Sequence, residues 1–280
     1  MRPPCHDNQA ATLKRRGFVI ALASAGVLPA FAQVDVGEAS SLRSLVPAGQ
    51  LEAAATQQYS ALMEKARAQR ALAPEGHPQL QRLRAISKRL IAQSPKWNER
   101  ARQWQWEVNL IGSKTINAFC MPGGKIAVFT GILDQLRLTD DEAAMVLGHE
   151  IAHALREHAR ARIAKTRGTG TLLSLGSQLL GLGQVGDLAA NVGTQLITLK
   201  FSRNDEIDAD LVGLELAARA GFNPDAAISL WQKMEKAQQG GGIAFLSTHP
   251  SGPDRITRLQ ENVPRVRGLY QKAIGAPAAK

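Results

Sequence analysis

A chain of 280 residues with 44% hydrophobic and 21% charged residues is long enough to bury a core without staples, and its two cysteines exclude both a disulfide framework and a thiolate-built zinc site. The formal charge of +10 raises the question of nucleic acid, but aromatics at 5% leave little to stack on bases. No nucleic-acid partner is expected; a solvated basic surface, able to make peripheral contact with an anionic membrane, is the reading taken.

From the N-terminus, Lys14-Arg15-Arg16, the apolar run 17–28 and Ala30-Phe31-Ala32 follow the order of a secretory signal, so residues 1–32 are expected to be a signal peptide and the protein periplasmic. The stretch KRRGFVI also resembles a twin-arginine signal. Loss of this segment, which carries a net +3, leaves about +7 and Cys120 as the one cysteine. Residues 33–48 read as a linker, 49–272 as the domain and 273–280 as a flexible tail.

Residues 49–72 and 78–93 read as amphipathic helices, the second with Leu80, Leu83, Ile86 and Leu90 at helical spacing. In 103–111 the period shortens, with Trp104, Trp106, Val108 and Leu110 alternating with polar residues as in a half-buried strand. Residues 125–130 (KIAVFT) form a second strand, set off by 117–124, whose Pro-Gly-Gly marks a turn. Thr139 with Glu142 gives a capping-box start to a long helix whose basic end is expected near 160–167. Residues 168–199, Gly-rich and nearly uncharged, read as a packed helical pair or lid. A further helix begins near 203 and stops at Gly221, and Pro224 opens the next, which ends at Gly240-Gly241-Gly242. These elements give a mostly helical α+β domain with a small antiparallel sheet.

The chemistry sits in GHEIAHALREHAR, residues 148–160. His149 and His153 are four apart on one helix and share a face, so both rings can address one ion. Glu150 is rotated about 100° from His149, beside that ion, where it can take a proton from a zinc-bound water. His158, nine residues from His149 on the same expected helix, would face away. Arg156 and Ala159 stand where the metzincin motif needs Gly and His, which excludes that subclass. A third ligand can come from 201–213, where Glu206 could complete a His₂Glu site and Asp210 could accept the other ring N–H of a ligand histidine. Asp205 and Asp208 crowd the same turn, as acids do at any helix N-terminus, so spacing leaves the choice open.

Together, NAFCMPGGKIAVFTGIL, GHEIAHALREHAR, SRNDEIDADLVG and THPSGPDRI resemble the HtpX/BepA-type zinc metallopeptidases, family forty-eight of the metallopeptidases, over about 80–270. The resemblance implies a gluzincin-like domain holding one Zn²⁺ per chain on His149, His153 and Glu206, with Glu150 as base and Asp210 in support. It also singles out His249, as a donor to the reacting centre or an approach to the metal in a closed state, and Arg255, as a holder of that loop. Protein quality control is implied too: a zinc-dependent endopeptidase of misfolded or misassembled envelope proteins, related to the soluble periplasmic branch. A chaperone-like protein holding unfolded chains in the same cleft is the alternative. An extended substrate is expected to pair with an exposed strand, for which KIAVFT with Ala127 or Val128 donating is the candidate, although its apolar content also suits a central strand.

Overall fold

The computed structural model describes Met1, residues 34–166, Leu196 and residues 199–239, 243–250, 252 and 254–275. The expected signal peptide and nearly all of 168–199 lie outside the described residues. Contacts divide the chain into Met1–Ala30 and Phe31–Lys280, and the elements below belong to the second unit.

After a short 3₁₀ turn at Ser41–Leu45 come α1 (Ala48–Ala68) and α2 (Pro78–Ile91). His77 caps α2, its Nδ1 accepting from Gln79 N at 3.2 Å with Pro78 at the first helical position. Strands β1 (Glu107–Ile111), β2 (Ala118–Met121) and β3 (Lys125–Phe129) then form a sheet of order β1-β3-β2.

This sheet departs from the expected one in two ways. Residues 118–121, read as part of a turn, are a strand, and the sheet is mixed: β1 runs parallel to β3 from Glu107↔Lys125, while β2 runs antiparallel from Ala118↔Val128. The chain leaves β1, passes to the far edge as β2 and returns to the middle through Pro122-Gly123-Gly124, whose glycines have φ of 82° and 80°. β3 is therefore central and covered on both faces. Ile126 and Val128 join the main core, and Ala127 packs with Ala55, Tyr59 and Met63 of α1. Burial on both faces is why KIAVF reads as a continuous apolar run. It also corrects the expectation that Ala127 or Val128 offers a free edge, because their backbone is flanked by β1 and β2.

Next come α3 (Thr130–Leu136) and α4 (Asp140–Leu155). The Thr139/Glu142 capping box closes as expected: Glu142 N donates to Thr139 Oγ1 at 3.2 Å and Thr139 N to Glu142 Oε2 at 2.9 Å. From Glu142 to Leu155 every residue of α4 is buried, because α2, β2 and two later helices, α6 (Arg203–Arg219) and α7 (Ala226–Gln239), surround it. Gly148 and Gly213 let the α4 and α6 backbones meet. A Cβ on Gly148 would lie 2.9 Å from Gly213 O, and one on Gly213 would lie 2.7 Å from His149 N.

The long helix expected through 160–167 breaks in two. α4 ends at Leu155, Glu157 turns left-handed with φ 57°, and α5 (His158–Thr166) starts afresh. The Glu157 carboxylate is held by Arg160 and, at 3.3 Å, by Arg43. Helices α8 (Ala244–Thr248) and α9 (Asp254–Ala273) complete the unit. Among the described residues no helix is long and apolar enough to cross a membrane.

Candidate metal centre

His149 and His153 project from α4 toward the first turns of α6, which begins at Ser202 with a capping box of its own: Asp205 N donates to Ser202 Oγ, and Asp205 Oδ2 accepts from Ser202 N at 2.8 Å. Asp205 is thereby committed to the cap. Glu206, next along, is fully buried and faces the histidines. Its Oε1 lies 3.4 Å from His153 Nε2 and its Oε2 3.5 Å from His149 Nε2, while the two Nε2 atoms are 3.1 Å apart. His249, at the end of α8, brings Nδ1 within 3.3 Å of His149 Nε2 and 3.2 Å of Glu206 Oε1. One donor atom from each of these four residues lies within 4.8 Å of the others.

Supporting contacts fix the donors. Asp210 Oδ1 accepts from His149 Nδ1 at 2.9 Å, and Arg255 grips Asp210 bidentately, through Nε at 2.6 Å and Nη2 at 2.7 Å. Arg255 Nη1 reaches Glu206 Oε2 at 2.7 Å and the Pro250 carbonyl at 3.2 Å, with its guanidinium stacked 3.7 Å over Trp231. One arginine thus ties two acids of α6 to the loop bearing His249. Phe201 stacks on His153 at 4.0 Å and Phe245 on His249 at 4.4 Å between ring centres; the sequence reading named neither.

Glu150 lies beside the cluster, 2% exposed. Among the described residues its Oε1 has no hydrogen-bond partner, and His249 Nε2 is 3.6 Å away. Burial pushes the Glu150 carboxyl above the usual range, against the pull of His249 and His149. Burial also opposes charge on His149, but Asp210 and Glu206 outweigh it and raise that imidazole to about 9. His153, where burial dominates, is held well below the ordinary histidine range.

This donor set fits a zinc ion. Three imidazole nitrogens and a carboxylate oxygen are the ligand types zinc prefers. Two Nε2 atoms facing each other at 3.1 Å can share at most one proton, whereas a cation satisfies both lone pairs. The buried charges agree: three carboxylates (Glu150, Glu206, Asp210) face the Arg255 guanidinium and the His149 imidazole, which even when protonated leaves an excess of negative charge that a metal cation offsets.

His158 corrects the sequence reading. The break at Glu157 restarts the helix and swings His158 back, so that its Nδ1 is 3.0 Å from His153 Nδ1 and its Nε2 3.3 Å from Asp208 Oδ2. Extrapolating one straight helix from His149 put it on the opposite side. The strand that lines the cleft is β2: residues 117–122 border a pocket shared with Glu150, His153 and His249.

The model of Peptidase family M48 matches residues 76–263. The chain is 39% identical over 197 residues to the mitochondrial metalloendopeptidase OMA1 of Schizosaccharomyces pombe, covering 69% of this chain and 56% of that protein. It is 40% identical over 162 residues to the mitochondrial metalloendopeptidase OMA1 of Arabidopsis thaliana, covering 56% and 32%. To the metalloprotease LoiP of Escherichia coli it is 27% identical over 155 residues, covering 54% and 60%. The chain thus spans less than two thirds of each relative's length. The periplasmic expectation is corrected here: the two more similar of these relatives are named mitochondrial. A basic, acid-poor N-terminal stretch is common to secretory and organellar addresses, so charge and apolarity did not separate them.

Proposed function

The chain belongs to peptidase family M48, and on that footing we propose that it is a zinc-dependent endopeptidase acting on unfolded polypeptide. The observation that carries the reading is Glu150: a buried carboxylate whose Oε1 has no partner among the described residues, set beside four metal-type donors. His149, His153 and Glu206 hold the ion, His249 is an additional donor, and Asp210 with Arg255 keeps His149 and Glu206 in place. When bound, zinc supplies a Lewis acid that polarises the scissile carbonyl and acidifies a water. Glu150 Oε1 would accept a proton from that water and pass it to the leaving amine, a task suited by a carboxyl raised above its ordinary range.

Catalytic zinc sites keep one position open, so with four side-chain donors at hand His249 would have to withdraw before substrate is engaged, turning from Glu206 toward the reaction. Substrate lies along β2. Phe129 N donates to Asn117 O, so by antiparallel alternation the N–H groups of Ala118 and Cys120 point off the free edge. The Ala118 N–H is held by the Asn117 side chain, and an extended peptide replaces this partner as it adds to the sheet. The holding protein without cleavage finds no support in relatives named as endopeptidases and proteases.

The test is Glu150→Gln in the full chain, with zinc content and digestion of unfolded casein measured on one preparation. Retained zinc with cleavage nearly abolished is expected. Near wild-type cleavage by the zinc-loaded variant would remove Glu150 from the mechanism, and a zinc-free wild type would remove the reading itself.

A further inference from the structure

Resting on the metal reading above, we propose that His158 is a positioning residue for the centre, accepting the hydrogen bond from His153 Nδ1–H and relaying its constraint to Asp208. Each α4 histidine is then oriented by its own carboxylate on α6, one directly and one through a second imidazole.

His153 Nε2 lies 3.1 Å from His149 Nε2 and 3.4 Å from Glu206 Oε1, inside the donor cluster. A nitrogen that offers its lone pair to a metal carries no proton, so the proton of the neutral ring is on Nδ1. That atom is 3.0 Å from His158 Nδ1, which has to accept. The His158 proton then sits on Nε2, 3.3 Å from Asp208 Oδ2. One choice, made at the metal, sets both tautomers and ends on a carboxylate.

Asp208 is itself held. Arg156 Nε donates to Asp208 Oδ2 at 2.8 Å, and Arg156 Nη2 donates to Gly37 O at 2.8 Å. His158 is buried and meets His153 nearly edge-on, at 75° with ring centres 5.0 Å apart, a geometry made by directed ring nitrogens rather than by stacking. The helix explains why a relay is needed. Asp210 and Asp208, two residues apart on α6, point about 200° from one another. Asp210 touches its histidine at 2.9 Å, whereas Asp208 faces away from the cluster and reaches His153 through the imidazole that the Glu157 turn inserts.

The test compares His158→Phe, His158→Gln and Asp208→Asn in the full chain. Its readouts are zinc affinity by chelator competition, the visible absorption of the cobalt-substituted protein, and melting of the metal-free forms. Phe fills the space without an acceptor, and zinc affinity should fall about 10–100-fold with altered cobalt bands, as loss of a ligand's hydrogen-bond partner typically does. Gln can accept from His153 and donate to Asp208, and should restore most of the affinity and the wild-type bands. The Asp208→Asn change should weaken zinc alone but add nothing to His158→Phe, because the relay is already cut. Wild-type zinc affinity in His158→Phe, or a Gln variant as weak as Phe, overturns the proposal. Should Phe prevent folding, wild-type affinity and bands in Asp208→Asn overturn it. A wild type that takes up no zinc sinks the metal reading together with the relay, whereas zinc-binding variants indistinguishable from wild type sink the relay alone.

Discussion

Replacing Gly213 by alanine perturbs the helix contact on which the centre is built. The new Cβ would lie 2.7 Å from His149 N and 2.8 Å from the Gly148 carbonyl carbon, about 0.7 Å inside an ordinary 3.4 Å contact. Both neighbours are backbone, so no flexible side-chain end can yield and α4 and α6 must part locally. Overpacking of this kind costs about 1–3 kcal/mol. The helix preference of alanine over glycine offsets about 1 kcal/mol of this, leaving a net cost of up to about 2 kcal/mol; at about 2–4 °C per kcal/mol for a domain of this size, melting should fall by up to about 8 °C. The functional effect follows from the same displacement: Glu206 and Asp210 ride on α6 and His149 and His153 on α4, and a site tolerates only about 0.5 Å of misplacement. Zinc affinity should drop along with stability. Thermal unfolding and chelator competition measure the two, with Gly49→Ala as control, since that glycine near the start of α1 has nothing within 4 Å of an added Cβ. The control should melt at or above wild type. A Gly213→Ala protein that melts and binds zinc like wild type would refute the close-approach argument.

Three further outcomes are expected. Glu206→Ala should lose zinc and Asp205→Ala should keep it, because Asp205 is engaged by the Ser202 cap, while Asp210→Ala should weaken zinc about 10–100-fold; equal zinc content in all three would contradict the donor set. His249→Ala should bind zinc less tightly yet cleave unfolded casein faster, since a donor has been removed from a closed centre; slower cleavage with zinc retained would show that His249 serves the reaction instead. Ala118→Pro removes an N–H that points off the β2 edge and should leave fold and zinc intact while weakening casein cleavage, whereas Ala127→Pro breaks the central strand; undiminished cleavage by folded Ala118→Pro would place substrate elsewhere.

Relations within one regular helix were legible without coordinates. The spacing of His149, Glu150 and His153, the Thr139 cap and the helix from 203 to Gly221 are local consequences of a 3.6-residue period and of terminal hydrogen bonding. The mostly helical α+β class followed from the same periodicities, and Glu206 and His249 entered through motif resemblance rather than spacing. Sheet order was not legible. β3 looks alike as an edge or a centre until β1 is known to pair parallel to it, and β2 was hidden in a segment whose Pro-Gly-Gly suggested only a turn.

The sequence by itself therefore set His149, Glu150 and His153 together on one helix and indicated the family, because each is carried by residues close together in the chain. Tertiary structure decided what surrounds them. Arg255 reaches Asp210 and Glu206 from 45 and 49 positions away because α9 packs against α6, and those acids meet the α4 histidines because α6 lies against α4 through Gly148 and Gly213, without a side chain between. His158 joins His153 only because Glu157 adopts φ 57°, an unfavourable turn for a residue with a Cβ and one stabilised by Arg43 and Arg160. A backbone reversal held by such contacts leaves no glycine or proline to announce it, and that is why the helix read as continuous.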